Sequence, residues 1–241
     1  MNRGIYPILS GALAQERQMQ VFSNNVANVN TAGFKQDESL FRSLMSRSMG
    51  NAVPVSSTER VFVSAQGLKT VLESGRLRKT GNPYDMAIRG PGFFEVKTAQ
   101  GTRYTRNGEF HVDGQRRLVT EMGDPVMGQR GEIKLMKGDV HVSPGGAIQV
   151  NGQQTDKIKV VEFLDNMPPH KSENGLFAGD KPKLSKDVVI ETGYVEESNV
   201  NALTEMVKMI QSMRMYESAQ KLIQAFDHMT ELAVQDVGKL G

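Results

Sequence analysis

Cysteine is absent from the chain. That excludes a disulfide framework, thiolate zinc and a thiol nucleophile, and it leaves the redox compartment undefined. Charge of one sign is not in excess: 29 Lys and Arg against 27 Asp and Glu leave a formal net charge of +2. Bulk electrostatics therefore point to neither nucleic acid nor an anionic membrane. No apolar run reaches the length of about 18 residues that a bilayer-spanning helix needs, so no direct membrane insertion is expected. A short apolar patch follows Arg3, but it runs into Gln15, Glu16, Arg17 and Gln18 within one helical period. If the protein leaves the cytoplasm, it is expected to do so without a conventional cleaved signal peptide.

Recognisable chemistry is scarce as well. His111, His141, His170 and His228 lack metal-ligand spacing, and solvent-facing or hydrogen-bonded roles are expected for them. The glycines form neither a P-loop nor a dinucleotide fingerprint followed by a helix. Asp85, between Tyr84 and Met86 in an apparent strand, reads as a structural hydrogen-bonding group rather than a general base. Arg103, Tyr104 and Arg106 interleave an aromatic with basic residues, a weak nucleic-acid signal in a near-neutral chain. No catalytic, cofactor or metal site is expected, and no nucleic-acid partner.

What the chain does have lies at its two ends. Ile5, Ile8, Ala12, Gln15, Met19, Phe22, Val26 and Val29 recur at steps of three and four, a heptad-like seam that Leu9 and Leu13 widen into a face. Pro7 fits the first turn of that helix, and Asn30 to Gly33 stop it, with Gly33 the left-handed residue. Outside the seam stand amides: Gln18, Gln20, Asn24, Asn25 and Asn28. Amides donate and accept hydrogen bonds without desolvating an ion, which suits a helix enclosed by protein. A solvated helix with an unusual polar face is the alternative.

The last forty or so residues mirror this. Asn199 or Asn201 caps a long helix whose stripe comprises Leu203, Met206, Ile210, Met213, Tyr216, Ile223, Phe226, Ala233, Val237 and Leu240, drifting in phase. Met206, Met209, Met213 and Met215 suit packing against imperfectly matched neighbours. An amphipathic helix folded onto the chain's own middle is the alternative. Two lone helices bury too little to offset the entropy of ordering them, whereas neighbouring subunits would cover the remaining faces. Head-to-tail contacts that do not close then generate a tube or rod.

Between the ends the chain reads as β structure. From Lys35 the pattern weakens: Leu40, Phe41 and Leu44 allow the first helix to resume, and Ser46 to Ser57 is small, polar and broken by Gly50 and Pro54. Arg60–Val63 and Thr70–Leu72 read as two short strands. From Gly81 to about Val195 turn signals recur, among them Asn107-Gly108, Asp113-Gly114, Asn151-Gly152 and Asn174-Gly175. These are pairs that supply the positive φ of tight hairpins. Alternating stretches lie between, including Thr102–Thr105, Phe110–Val112, Val140–Val142, Ile148–Val150 and Lys157–Phe163. The expected class is α+β: paired N- and C-terminal helices forming a coiled coil, plus a central, mostly antiparallel all-β domain. The expected organisation is residues 1–34 with 199–241 as the helical assembly domain, 35–80 as a connector or extended hairpin, and 81–198 as the β domain.

Three stretches together resemble one family. They are SNNVANVNTAGFK at Ser23–Lys35, GRLRKTGNPYDMAIRGPGFFEV at Gly75–Val96 with GTRYTRNGEFHVDGQRRLVTEMGDPVMG at Gly101–Gly128, and RMYESAQKLIQAFDHM at Arg214–Met229. In this order they resemble the flagellar basal-body rod and hook proteins of bacteria. Val26 and Tyr84 stand where leucine is common in that family, both apolar exchanges. The resemblance implies a non-enzymatic structural subunit of the rod, the periplasmic axial structure that transmits torque from motor to hook. It further implies export through the flagellar type III apparatus, and polymerisation with itself and other rod subunits. Terminal helices that are disordered in the free monomer would pair as an inner coiled coil on assembly. The chain is short for a hook protein, and its opening and compact middle look most like a proximal rod member, with the distal rod protein the runner-up. A phage-tail-like tube protein shares the physics. A rival from another class is a periplasmic ligand-binding β domain with helical oligomerisation ends. The residues expected to pack along the axis are Leu9, Leu13, Met19, Phe22, Asn25, Val26 and Asn28, opposite Met206, Ile210, Met213, Tyr216, Ile223 and Phe226.

Overall fold

The computed structural model describes residues 5–46, 60–164, 167–185 and 189–238. Two compact units account for the chain. The first comprises Met1–Ala27, Asp37–Lys69 and Asn201–Gly241, and the second Asn28–Gln36 and Thr70–Val200. The fold is α+β, with one N-terminal helix, a central antiparallel β domain and a C-terminal helix.

In the first unit, α1 (Ile5–Ala27) carries Pro7 in its first turn, where the missing N–H costs nothing. Strands β1 (Asp37–Ser46) and β2 (Arg60–Thr70) pair with each other. The helical continuation over Leu40, Phe41 and Leu44 is therefore corrected to a strand. Apolar residues at spacings of one and four fit either period, and the exposure pattern decides: Asp37, Ser39 and Phe41 turn inward while Glu38 and Leu40 are exposed. Likewise Arg60–Val63 and Thr70–Leu72 are not two strands. One strand runs through Gly67 to Thr70, its backbone bonded to β1, and Val71 and Leu72 follow its end. The Gly50–Pro54 stretch, Leu240, and the side chains of Leu44, Ala233 and Val237 lie outside the described residues.

The long helix α2 (Ala202–Gly238) begins at Asn201, whose Oδ1 accepts from the Thr204 amide at 3.1 Å. Asn201 is thus the cap, and Asn199 has other partners. Glu205 in the first turn meets the positive end of the helix dipole. Among the described residues of α2, Glu205, Met209, Ser212, Tyr216, Ala219, Ile223 and Phe226 are less exposed at alternating steps of four and three, with Ala202 and Lys208 beside that line. α1 and α2 lie against each other and run antiparallel: Asn25 bonds Glu205, and Gln18 bonds Ser212 one heptad away on both helices.

The second unit is built from short strands. β3 (Leu77–Lys79), β4 (Met86–Arg89), β5 (Phe93–Thr98), β6 (Gly101–Thr105), β7 (Phe110–Val112) and β8 (Leu118–Thr120) make its first half. β9 (Met127–Gly128), β10 (Gly131–Glu132), β11 (Val140–Val142), β12 (Ala147–Val150), β13 (Gln153–Lys157) and β14 (Val160–Glu162) follow. β15 (His170–Lys171), β16 (Phe177–Ala178), β17 (Lys183–Leu184), β18 (Val189–Thr192) and β19 (Tyr194–Glu196) complete it. The largest sheet runs β15-β16-β6-β5-β14-β17, and its pairings are antiparallel. Lys157–Phe163 is split between β13 and β14, because Ile158 leaves the first ladder to bridge Gly128.

β5 is buried on both faces, which is why two successive phenylalanines are tolerated there. Phe94 joins the main core with Met86, Ile88, Val96, Leu118, Ile148 and Ile190. Phe93 turns the other way, into a smaller aromatic cluster with Tyr104, Val161 and Phe177. The Phe93 ring stands edge-on to Phe163 at 5.6 Å, and Phe94 edge-on to Phe110 at 5.1 Å.

The turn pairs divide in two. Asn151-Gly152 (φ 51 and 80) and Asn174-Gly175 (φ 57 and 70) take the left-handed pair of angles as expected. At Asn107-Gly108 the expectation of a positive φ is corrected: a Cβ on Gly108 would meet the Met86 carbonyl at 1.6 Å, so the glycine serves close approach. In the Asp113-Gly114 loop the left-handed residue is Arg116 (φ 65), held by the Asp113 carboxylate, which accepts from the amides of Gln115 and Arg117. Asp85 precedes β4 rather than lying in a strand, and accepts from Asn82 Nδ2 at 2.8 Å.

Gly33 (φ 69) combines both glycine uses, since a Cβ there would lie 2.2 Å from the Asn107 amide nitrogen. Gly152 has the same sign of φ with nothing within 4 Å. Gly152→Ala is therefore expected to cost about 1–2 kcal/mol from backbone conformation alone. Gly33→Ala should cost about 1–3 kcal/mol more, because rigid backbone must move. Urea unfolding of the two variants measures the difference.

Candidate assembly surface

The site that the first unit builds begins with Asn25, which is completely buried. Its Nδ2 donates to the Asp37 carbonyl and to Glu205 Oε2, both at 2.9 Å, and its Oδ1 accepts from the Asp37 amide at 3.0 Å. One amide side chain thus ties the end of α1, the start of β1 and the start of α2. Only an amide can do all three, because it offers donors and an acceptor at once. Glu205, also buried, receives Lys208 Nζ on its other oxygen at 2.8 Å. The Lys208 ammonium lies 5.8 Å from the centre of the Phe22 ring.

The remaining expected residues separate by direction. Met19, Phe22 and Val26 on α1, and Tyr216, Ile223 and Phe226 on α2, are half-buried. Leu9 and Leu13 on α1 are exposed, with Tyr6 beside them. Met206, Ile210 and Met213 on α2 are 48%, 53% and 53% exposed, alongside Leu203 and Val207. Further along α2 the exposed apolar residues are Met215, Leu222, Met229 and Leu232, three of them seven residues apart. Asn28 belongs to the second unit, where its Oδ1 accepts from Thr31 Oγ1. Each helix therefore presents apolar side chains on a line distinct from the one it turns to its partner.

Sequence reasoning missed Glu205 and Asp37. A glutamate one turn into a helix reads as a dipole-compensating surface group, and nothing local marks it as the partner of an asparagine 180 residues away. The amide-rich pattern was the available signal. Among the described residues, Gln15 Oε1 is buried without a hydrogen-bond partner.

In the second unit, the Arg103, Tyr104 and Arg106 set does not form a surface: Tyr104 and Arg106 are 6% and 3% exposed. Burial raises the Tyr104 pKa, with the Glu95 carboxylate acting in the same direction. Burial lowers that of Arg106, while Glu196 opposes the change. His111, His141, His170 and His228 are exposed. Among the described residues no three His, Asp or Glu side chains converge on a metal-sized space. Among them, too, no helix is long and apolar enough to cross a membrane.

Asn25→Ala removes three hydrogen bonds and strips the amide from a buried carboxylate. It is expected to destabilise the helical unit by about 2–4 kcal/mol. Gln20→Ala, on the exposed side of the same helix, should stay within about 0.5 kcal/mol of the parent. Thermal loss of the far-ultraviolet dichroism of the helices distinguishes the two.

Comparison with known proteins adds three regional matches. Residues 5–35 match the family described as flagella basal body rod protein. Residues 87–160 match the flagellar hook protein FlgE/F/G D1 domain, and residues 191–235 the C-terminal domain of flagellar basal body rod FlgEFG proteins. Over the full length, the chain is 31% identical to the flagellar basal-body rod protein FlgF of Caulobacter vibrioides, with 100% of both chains aligned. It is 29% identical to FlgF of Mesorhizobium japonicum over 99% of each. It is 34% identical to the flagellar basal-body rod protein FlgG of Buchnera aphidicola from Schizaphis graminum, over 92% of this chain and 95% of the relative.

Proposed function

As a member of the flagellar basal-body rod protein family, to which it belongs, the chain is a structural subunit of the rod and not an enzyme; we propose that it polymerises through the outward apolar lines of its two terminal helices, in a FlgF-type proximal position. The observation that carries this reading is the second apolar line on each helix. Ile210 and Met213 are more than half exposed on a helix whose other face already has a partner. Singly scattered apolar residues on a surface need no explanation, but a heptad-spaced row does. A neighbouring subunit that covers the row supplies the burial that the isolated pair lacks.

The four-three spacing along α2 and the Asn25–Glu205 and Gln18–Ser212 contacts support the pairing of α1 and α2 as a coiled coil. Within it Met19, Phe22, Asn25, Val26, Tyr216, Ile223 and Phe226 hold the pair together, while Leu9, Leu13, Met206, Ile210 and Met213 face neighbours. The terminal helices within residues 1–34 and 199–241 act as the assembly domain, and residues 81–198 as the β domain. Heterologous contacts of this kind leave an open helical array, the geometry of a rod. Partners are other rod subunits and further copies of the same chain, reached by uncleaved export through the flagellar type III apparatus. A FlgF-type position is supported by alignments that span 99–100% of both chains, against 92–95% for the Buchnera FlgG.

Ile210→Asp and Met213→Asp place a charge on the outward line only. Each is expected to leave the free protein as helical and as thermally stable as the parent within about 0.5 kcal/mol. Both should be missing from isolated basal bodies. Phe22→Asp and Ile223→Asp should also fail to assemble, but with the helix pair itself destabilised and the β domain still folded. Normal incorporation of Ile210→Asp would overturn the outward line as an assembly surface.

A further inference from the structure

The chain crosses between its two units after Ala27, Gln36, Lys69 and Val200. On the side of the β unit, these crossings leave three passages: the segment ending at Gln36, the segment starting at Thr70, and the segment ending at Val200. One carboxylate reaches all three. Glu196, 1% exposed, accepts from Lys35 Nζ and from the Gly75 amide (2.8 Å) on Oε1, and from Arg106 Nη1 (3.2 Å) on Oε2. The fully buried Lys35 ammonium also donates to the Glu73 carbonyl at 2.7 Å. Arg106 is anchored in turn on the Ile88 and Gly90 carbonyls.

Asn199 repeats the arrangement without charge. Its Oδ1 accepts from the Gln36 amide at 2.7 Å, and its Nδ2 donates to the carbonyls of Val71 (2.9 Å) and Glu73 (3.1 Å). Four backbone bonds join the same passages pairwise: Gly33 to Glu196, Val71 to Gln36, Glu197 to Arg76 and Asn199 to Phe34. Lys171 closes over the first passage, its ammonium 3.8 Å from the centre of the Phe34 ring and bonded to the Lys35 carbonyl.

We propose that Glu196, Lys35, Arg106 and Asn199 form a clasp that makes the three passages open and close as one. Two buried cations face one carboxylate, so removing the carboxylate strands both charges away from water. Breaking such a pair is far costlier than its net contribution to stability. Burial lowers the Lys35 pKa; the Glu196 carboxylate opposes that change and the Arg106 cation adds to it. The clasp therefore has no cheap partial opening. Taken with the reading of this protein as a rod subunit, it passes force arriving on any one passage to all three.

The test uses the purified full-length chain and amide hydrogen exchange read residue by residue. In both Glu196→Gln and Asn199→Ala, the amides of Gly33, Val71, Glu197 and Asn199 are expected to exchange at least tenfold faster together. The β5–β6 ladder, Phe94 to Thr105, should stay at its parental rate. Acceleration confined to one passage, no acceleration, or an equal rise across the β5–β6 ladder in Asn199→Ala would overturn the clasp. Should Glu196→Gln fail to fold, the Asn199→Ala result decides alone. Cells making Asn199→Ala should retain the protein in basal bodies and swim at less than half the parental speed in a viscous medium. Absence from wild-type basal bodies would instead refute the rod reading and leave the exchange result standing.

Discussion

Asn25 bonds at once to the backbone of Asp37 and to the carboxylate of Glu205, 180 residues further along. The first unit depends on that junction, because it is assembled from three separate stretches of chain. Without it, α1, β1 and α2 would lose the junction they share, leaving side-chain packing and contacts such as Gln18–Ser212 along a helix pair whose outer lines are still in water. A buried amide is also specific in a way that packing is not. A slip of one residue between α1 and α2 would break the buried Asn25–Glu205 bond, and a buried polar group left unmade costs about 1–3 kcal/mol.

The second unit meets the same topological demand by other means. It receives and returns the chain repeatedly, and it gathers its passages on Glu196. The parallel is chemical: in each unit a buried glutamate close to the start of α2 accepts from an amide and from a cation. Glu205 has Asn25 and Lys208, and Glu196 has Gly75, Lys35 and Arg106. Neither carboxylate opens onto a site where a substrate could reach it. Buried charge serves geometry here, the use for which ion pairs are best suited, since their net stabilising effect is small.

Function follows from what the two helices leave uncovered. An enzyme would gather polar groups into a concavity. This chain instead buries a few ionisable groups against one another, Glu196 with Lys35 and Arg106 among them, and sets leucine, isoleucine and methionine in rows outside. The methionines matter, because an unbranched thioether side chain adapts to neighbours that are related but not identical. A subunit that assembles with other rod proteins gains from that tolerance.

The amino-acid sequence by itself determined the two helices, the β middle and the family. Each rests on local period or on contiguous motif: steps of three and four at both ends, turn pairs between, and the three stretches around Asn25, Tyr84 and Tyr216. The left-handed Gly33 and the solvent-facing histidines were legible for the same reason. Tertiary structure alone decided matters in which period was ambiguous or the partner distant. Leu40, Phe41 and Leu44 fit a helix as well as a strand until β2 arrives to bond their backbone. Gly108 looks like a turn glycine until the Met86 carbonyl is brought against it. Arg106 reads as part of a weak nucleic-acid signal with Arg103 and Tyr104 until it is folded, with Lys35, onto Glu196. Which apolar residues of α2 face α1 and which face outward was likewise beyond the sequence. Both lines have helical spacing, and only the position of the second helix separates them.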